Sequence, residues 1–257
     1  MQYFGAPIMI FKQLFEPLSS TYTYLIGCEE TGKSILIDPV IATMDRDLSE
    51  LNKYGLSLEY AIDTHIHADH ITSALELKKH LGSKIANPII ERLSCADLYL
   101  EEGKPLVIGS IQLDSLHTPG HTPGHFSYVI NNQIFTGDSL LIDGCGRTDF
   151  QDGSSEQLFQ SIHQKLFKLP DDYLVYPGHD YQNRFVSTIG QEKIRNPRLG
   201  NDKNIKEFIA IMDKLNLPYP KFLDYAVPGN ALCGVCPTDL PDNLEAYCGK
   251  SSESIQG

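Results

Sequence analysis

The chain has 257 residues, of which 41% are hydrophobic, so it can bury a large core within one domain. Its formal net charge of -12 argues against an extended phosphate-binding surface, so we expect no nucleic-acid partner. No apolar stretch approaches the roughly 20 residues that span a bilayer, so we expect no membrane partner.

The amino terminus and the cysteines predict the cellular compartment. Residues 1–7 lack the basic head and apolar run of a signal peptide, and no Arg- and Ser-rich transit segment precedes the expected fold. Six cysteines are scattered along the chain, a pattern that favours reduced thiols over a disulfide framework. We therefore expect a cytoplasmic or otherwise reducing compartment.

Short β-rich runs alternate with amphipathic segments along the chain. Strands are predicted at 22–26, 34–37, 58–63, 106–108, 111–116, 126–130, 134–136 and 173–176, the first two forming a hairpin. Helices are predicted at 47–56, 154–168 and 204–215. The capping-box spacing of Ser73 and Glu76 predicts the start of a further helix. Two groups of strands separated by helices indicate an α/β fold with two packed sheets.

The carboxyl-terminal segment differs in composition from the rest. We predict a catalytic domain over 1–230 and an extension over 231–257, rich in Pro, Gly, Ser and acidic residues and loosely ordered. Cys233 and Cys236 have the spacing of a redox or zinc pair, with Cys248 as a possible third partner. Because the chain has no second cysteine pair of this kind, we expect these cysteines to have no functional role.

The strongest functional signal is a cluster of potential metal ligands. Four of them lie within six residues, in the loop that follows a predicted strand: His65, His67, Asp69 and His70. Later, His121 and His179 each follow a Pro-Gly turn, and Asp138 follows another strand. Imidazoles and carboxylates bind zinc, iron or manganese, so the sequence predicts a metal site.

This order of motifs resembles the metallo-β-lactamase superfamily. The resemblance implies an αββα sandwich of two mixed β-sheets flanked by helices, with the site at one edge of the sheets. In binuclear members, His65, His67 and His121 correspond to one metal site. Asp69, His70 and His179 correspond to the other, with Asp138 as the bridge. The fold alone does not identify the reaction.

A narrower resemblance covers about residues 15–234 and is to the persulfide dioxygenases of the ethylmalonic encephalopathy protein type. Its most specific segment is Gly-Cys-Gly-Arg-Thr-Asp-Phe at 144–150, and Asn-Pro-Arg-Leu at 196–199 is another matching segment. It implies one Fe(II) per chain, bound by His65, His121 and Asp138, which together form the catalytic centre. Glutathione persulfide and dioxygen are then the substrates, sulfite and glutathione are the products, and a homodimer is possible.

Two interpretations are open for the remaining potential ligands and for Asp38. By resemblance, His67, Asp69, His70 and His179 orient the ligands and ordered water, or they hold a second metal. Asp38 lies at a strand end, where it either joins this group or simply caps the strand.

Three residues are candidates for binding the substrate. Arg147 and Arg198 lie in the matching segments, and Arg grips a carboxylate through two parallel hydrogen bonds. The alternative for Arg147 is an ion pair with Asp149 or Asp152. Tyr181 either donates a hydroxyl near the substrate or packs.

Other residues of these types are expected to be ordinary. Arg184 is expected to be a surface charge, and Cys145 a small buried residue. Surface or core positions without a role are expected for His80, His117, His125 and His163.

Two other functions fit the same sequence. A glyoxalase II-like hydrolase of S-acylglutathione would use every ligand above with two zinc or mixed metals. A non-catalytic persulfide or metal sensor would signal through Cys233 and Cys236. The segments at 144–150 and 196–199 and the intact ligands favour the dioxygenase.

Overall fold

The computed structural model describes residues 9–249, so the amino-terminal segment and the last part of the extension lie outside the described residues. Its strands are β1 (Met9–Glu16), β2 (Thr21–Cys28), β3 (Lys33–Ile37), β4 (Ser57–Ile62), β5 (Lys84–Pro88), β6 (Leu98–Leu100), β7 (Leu106–Ile108), β8 (Ile111–His117), β9 (Phe126–Ile130), β10 (Gln133–Gly137), β11 (Leu174–Pro177) and β12 (Ser187–Thr188). Its helices are α1 (Met44–Lys53), α2 (Ala74–Leu81), α3 (Ser155–Gln164), α4 (Ile189–Arg195), α5 (Ile205–Met212) and α6 (Leu223–Asn230). Short 3-10 helices lie at Ile41–Thr43, Leu166–Lys168 and Asp242–Cys248.

The strands form two mixed six-stranded sheets, in the orders β1-β2-β3-β4-β5-β6 and β12-β11-β10-β9-β8-β7. A core that includes Ile26, Ile37, Phe126 and Phe135 fills the space between them. Alternate side chains on β2 and β3 face outward, because successive residues of a strand point to opposite faces. This arrangement confirms the αββα sandwich.

Each sheet buries its outer face under helices. On the first sheet, Leu25 and Leu36 pack in one cluster with Leu51 of α1 and Leu77 of α2. On the second sheet, the corresponding cluster contains residues of β10, β11, α3 and α5: Ile134, Val175, Leu158 and Phe208. The apolar stripes of the predicted helices therefore do face the core. No helix within residues 9–249 is long and apolar enough to cross a membrane.

The topology places several chain turns at one edge of the sandwich. Strands β3 and β4 are parallel, as are β10 and β11, so within each pair the carboxyl ends meet at the same edge. Gly137 ends β10 with a φ of +48°, and a Cβ there would approach Thr64 Oγ1 to 2.7 Å. A glycine is needed at this position because it allows both the left-handed turn and the close approach.

The capping box at Ser73 and Glu76 is not formed. Ser73 is the N-cap of α2, but its side chain makes no capping hydrogen bond, and its Oγ is buried without a partner. Instead, the backbone N–H of Leu75 donates to the carbonyl oxygen of Cys233 at 3.1 Å. A residue of the carboxyl-terminal extension thus provides the cap that the local sequence predicts for Ser73.

The cysteines correct the expectation of reduced thiols. Disulfides join Cys95 to Cys233 and Cys236 to Cys248, and Cys28 and Cys145 are free and buried. Cys233 and Cys236 therefore do not form a pair with each other. The prediction was wrong because spacing along the chain cannot show that residue 95 lies beside residue 233. The predicted reducing compartment loses the support of the cysteine pattern.

The carboxyl-terminal extension also differs from its predicted loose order as far as Gly249. Leu244 and Cys248 of its 3-10 helix are buried against Ile71 and Phe222. This packing attaches the extension to the loop that follows β4, and the Cys95–Cys233 disulfide attaches it to the segment between β5 and β6. The boundary between residues 230 and 231 stays a prediction.

Candidate metal centre

Three of the predicted ligands converge from three loops at the edge of the sandwich. His65 follows β4, His121 follows β8 and Asp138 follows β10. One donor atom from each side chain lies within 4.8 Å of the others. His121 Nε2 is 3.6 Å from Asp138 Oδ2, and both side chains are only slightly exposed. Two imidazoles and one carboxylate at this spacing form a set that can hold one metal ion.

Hydrogen bonds orient both imidazoles of this set. His65 Nδ1 lies 2.9 Å from Thr64 Oγ1, whose own proton goes to Asp38 Oδ2 at 3.0 Å. His121 Nδ1 donates to the carbonyl oxygen of Arg147 at 2.7 Å. Because each Nδ1 carries the proton, each Nε2 keeps its lone pair for a metal. Burial also lowers the pKa of His65 well below its usual value, which favours the neutral ring.

The backbone of Asp138 is held by His125, which does not belong to the predicted ligands. The backbone N–H of Asp138 donates to Nε2 of the buried His125 at 3.1 Å, and His125 Nδ1 lies 2.9 Å from Thr118 Oγ1. His125 is thus a satisfied core histidine, as expected, and it also contacts the backbone of a proposed ligand. Its position just before β9 matches no ligand pattern, so the sequence alone does not signal this contact.

Asp38 joins the site instead of simply capping its strand. Its Oδ1 accepts the backbone N–H of Thr64 at 2.7 Å and lies 3.0 Å from His67 Nε2. Burial alone lowers the pKa of His67, but the carboxylates of Asp38 and Asp63 raise the pKa to about 9. Asp38 therefore fixes the orientation of the His67 ring behind the loop that carries His65.

His179 bridges two carboxylates. Its Nδ1 is 2.6 Å from Asp138 Oδ1, and its Nε2 is 2.9 Å from Asp69 Oδ2. Burial opposes the charged ring, but these two carboxylates raise the pKa of His179 well above its usual value. Burial likewise raises the pKa of Asp138, yet the charge of His179 lowers it below the usual range. Asp138 is therefore ionised, as a metal ligand must be.

A second group of ligands lies beside the first. His67, Asp69 and His70 also offer donor atoms within 4.8 Å of one another. His70 Nδ1 is 3.0 Å from Asp69 Oδ2. The remaining ring nitrogens, His67 Nδ1 and His70 Nε2, are buried and have no hydrogen-bond partner. Such orphaned nitrogens are expected where an ion or ordered water is to bind, so the donor set fits a metal.

A cavity of about 670 Å³ opens onto His121 and Asp138 and is lined by all three predicted substrate residues: Arg147, Tyr181 and Arg198. Tyr181 is 73% exposed, and its ring lies parallel to that of His179 at 6.0 Å. Apolar side chains from the segment 217–222, among them Leu217, Tyr219 and Phe222, also line the cavity. The cavity therefore combines cationic groups with apolar surface beside the metal set.

Both arginines are already engaged in this structure. Arg147 makes a two-point contact with Asp149, with both N–O distances at 2.7 Å, so the alternative ion pair is present. Arg147 Nη1 also donates to the carbonyl oxygen of Pro218 at 2.8 Å. Arg198 Nη1 donates to the carbonyl oxygen of Cys145 at 2.7 Å.

The sequence predicts that Cys145 is a small buried residue and that Arg184 is a surface charge. Cys145 is buried as expected, and burial raises the pKa of its thiol to about 11, which disfavours a reactive thiolate. Arg184 is more than a surface charge. It pairs with Asp180 at 2.8 Å and with Asp143 at 2.7 Å, and so ties the loop after β11 to the loop after β10.

Comparison with known proteins places this site in a family. The family model of the Metallo-beta-lactamase superfamily matches residues 17–108 and 101–179. The mitochondrial persulfide dioxygenase ETHE1 of Homo sapiens is 48% identical over 235 residues, which cover 90% of this chain and 91% of the relative. The cytoplasmic hydroxyacylglutathione hydrolase of Arabidopsis thaliana is 34% identical over 173 residues, 64% of this chain and 65% of the relative.

A solved structure agrees with this placement. The crystal structure of ETHE1 from Myxococcus xanthus has a TM-score of 0.85 and 48% identity, and the match covers 88% of this chain and 99% of that one. The chain therefore belongs to the metallo-β-lactamase superfamily and, within it, to the family of the ETHE1 persulfide dioxygenases.

Proposed function

We propose that the protein is a persulfide dioxygenase, which converts glutathione persulfide, dioxygen and water to sulfite and glutathione. The observation that carries this proposal is the 48% identity to ETHE1 across 90% of the chain. The two-histidine, one-carboxylate set beside a cavity with two arginines supports it. The metal set and the cavity do not identify the reaction by themselves, because hydrolases share the same fold.

The proposed cofactor is one Fe(II), bound by His65, His121 and Asp138. A set of two histidines and one carboxylate leaves open coordination positions, and it is typical of non-haem iron oxygenases. The ferrous ion supplies the redox chemistry and a template for both substrates. The protein supplies two neutral imidazoles with fixed tautomers and an ionised carboxylate.

We propose that a second metal is disfavoured because His179 is not free to bind it. Both of its ring nitrogens lie within hydrogen-bond distance of carboxylates, which raise the pKa of His179 and favour the protonated ring, and a protonated ring has no lone pair for a metal. The group formed by His67, Asp69 and His70 then lacks the further histidine that binuclear relatives use. In this role His179 instead fixes Asp138 and Asp69.

The substrate residues act through charge and shape. Glutathione has two carboxylates, and we propose that Arg147 and Arg198 bind them while Tyr181 covers the peptide near His179. Asp149 has a side chain that is 54% exposed, so a substrate carboxylate can compete with it for Arg147. The segment 217–222 provides apolar side chains that line the same cavity.

A glyoxalase II-like hydrolase is the second candidate function. It is favoured by the second group of ligands and by the Arabidopsis relative, which is a hydroxyacylglutathione hydrolase. The sensor hypothesis loses its proposed device, because Cys233 and Cys236 lie in separate disulfides.

The proposed quaternary structure is a homodimer, which light scattering of the purified chain tests directly. The proposed location is cytoplasmic or otherwise reducing. In such a compartment, the two disulfides either form despite the cellular reductants or stay reduced as free thiols. Thiol labelling of the protein in its native cells distinguishes these two cases.

The decisive experiment measures dioxygen consumption by the ferrous-loaded protein after addition of glutathione persulfide, with sulfite quantified in the same sample. We expect loss of oxygen and formation of sulfite in equal amounts. A sample with verified iron content that takes up no oxygen would reject the dioxygenase. The same preparation would then be assayed for S-acylglutathione hydrolysis after loading with zinc.

A further inference from the structure

The side-chain amide of Asn230 contacts the backbone of the metal-binding loop from 160 residues away in the sequence. Asn230 is the last residue of α6 and is 3% exposed. Its Nδ2 donates to the carbonyl oxygens of His67 at 2.9 Å and His70 at 2.8 Å. Its Oδ1 accepts the backbone N–H of Thr72 at 2.9 Å. Both donors and the acceptor of the amide are therefore used on one loop.

This loop needs such a partner. Residues 65–70 form neither helix nor strand, so their backbone groups are not satisfied by a ladder of hydrogen bonds. The NH2 end of the Asn230 amide contacts two carbonyl oxygens of the loop, and its oxygen end contacts one backbone N–H. An asparagine matches them, because one amide atom carries two protons and the other accepts. A carboxylate of the same shape would face the two carbonyl oxygens with no proton to donate.

The extension that follows α6 holds Asn230 in place. Three residues later, Cys233 is joined to Cys95 by a disulfide, and its carbonyl oxygen accepts from Leu75 at the start of α2. A Cβ on the next residue, Gly234, would lie 2.1 Å from the carbonyl oxygen of Thr72. The extension therefore lies in direct contact with the backbone between the metal-binding loop and α2.

We propose that Asn230 is a positioning residue for the metal centre. It fixes the backbone of residues 67–72 and thereby the direction of His67, whose ring lies 4.1 Å from the ring of the ligand His65. This inference rests on the metal site in the proposed function, but not on the reaction that occurs there. It extends the metal site to α6, which provides no ligand.

The test uses Co(II) as a spectroscopic probe on the full chain, with its affinity measured by competition against a chelator far below the melting temperature. We expect Asn230→Ala to weaken Co(II) binding roughly 10- to 100-fold, the usual effect of removing a group that orients metal ligands. We also expect altered ligand-field bands in Asn230→Ala. Asn230→Asp keeps the shape and the acceptor but removes both donors, and it should weaken binding similarly.

Asn87→Ala is the matched control. Asn87 is also buried, at 2% exposure, but it lies in β5 and makes none of the loop contacts. We expect its Co(II) affinity and spectrum to equal those of the wild type. If either Asn230 variant folds and binds Co(II) as the wild type does, with only a lower melting temperature, Asn230 is merely structural and the proposal is overturned.

A variant that unfolds at the measuring temperature is examined in the presence of saturating Co(II). We then expect the metal to raise its melting temperature by less than it raises that of Asn87→Ala. An equal rise overturns the proposal. Failure of the proposed function looks different: the wild type binds metal and Asn230 variants bind it weakly, yet the ferrous wild type consumes no oxygen with the persulfide.

Discussion

His121 Nδ1 donates a hydrogen bond of 2.7 Å to the main-chain carbonyl oxygen of Arg147. One bond thus fixes the tautomer of a proposed metal ligand and holds the backbone from which a proposed substrate residue extends. Because the same histidine faces Asp138 with its Nε2, the metal set and the wall of the cavity are parts of one rigid unit. The two functions can nevertheless be separated, since the bond uses the carbonyl group of Arg147 and not its guanidinium.

Replacing His121 should remove metal binding. His121→Ala deletes one of three proposed ligands, and we expect no retained iron after gel filtration, while the circular dichroism spectrum stays unchanged. His80→Ala is the control, because His80 is exposed on α2. Iron retained by His121→Ala at the wild-type level would remove His121 from the metal set.

Replacing the guanidinium of Arg147 should affect substrate use but not the metal. Arg147→Lys keeps the charge but cannot make a two-point contact, so we expect normal iron content and a KM for glutathione persulfide raised roughly tenfold. Arg195→Lys is the control, because that side chain is 47% exposed and pairs with Asp143. Steady-state kinetics with unchanged values in Arg147→Lys would exclude Arg147 from the substrate site.

His125 should contribute to metal affinity although it is not a ligand. His125→Leu leaves the N–H of Asp138 without its acceptor, so we expect about 10-fold weaker Co(II) binding and a loss of about 1–3 kcal/mol in unfolding free energy. His163→Leu is the control. His163 is stacked on Phe159 with a buried, unpaired Nε2, so leucine leaves no partner unsatisfied. Equal Co(II) affinity in the two variants would contradict the role of His125.

The two disulfides should differ in their contribution to stability. The Cys95–Cys233 bond spans 138 residues and the Cys236–Cys248 bond spans 12. Closing the longer loop restricts the unfolded chain more, so we expect Cys95→Ala/Cys233→Ala to cost roughly 2 kcal/mol more than Cys236→Ala/Cys248→Ala. Urea unfolding of both double variants measures the difference. A larger loss for the shorter loop would show that native contacts, and not chain entropy, dominate.

Asp47 should make stability depend on pH. Its side chain is fully buried, and burial raises its pKa from 3.8 to about 6 despite the charge of Arg46. A raised pKa in the folded state means that stability is complete below pH 3.8 and is lost as the pH rises through 6. Asp47→Asn cannot ionise, so its stability relative to the wild type should increase by about 2 kcal/mol between pH 4 and pH 8. Denaturant unfolding at both values tests this, and a constant difference would refute it.

The sequence alone predicts much of the fold and of the metal set. The ligands lie in short motifs at strand ends, and such motifs place several donors in one loop, so they can be recognised without knowing the packing. The hairpin of β2 and β3 and the amphipathic α3 and α5 are also evident, because their apolar patterns have the period of their structures.

Contacts between distant segments were decided by the tertiary structure alone. The pairing of Cys95 with Cys233, the bond from His125 to Asp138 and the hold of Asn230 on its loop all join residues whose local sequence carries no sign of the partner. Hydrogen bonds and disulfides depend on distances in space, and those distances exist only after the two sheets and the carboxyl-terminal extension have packed together. The sequence by itself thus determined which side chains are available to bind a metal, and the packing decided which groups orient them.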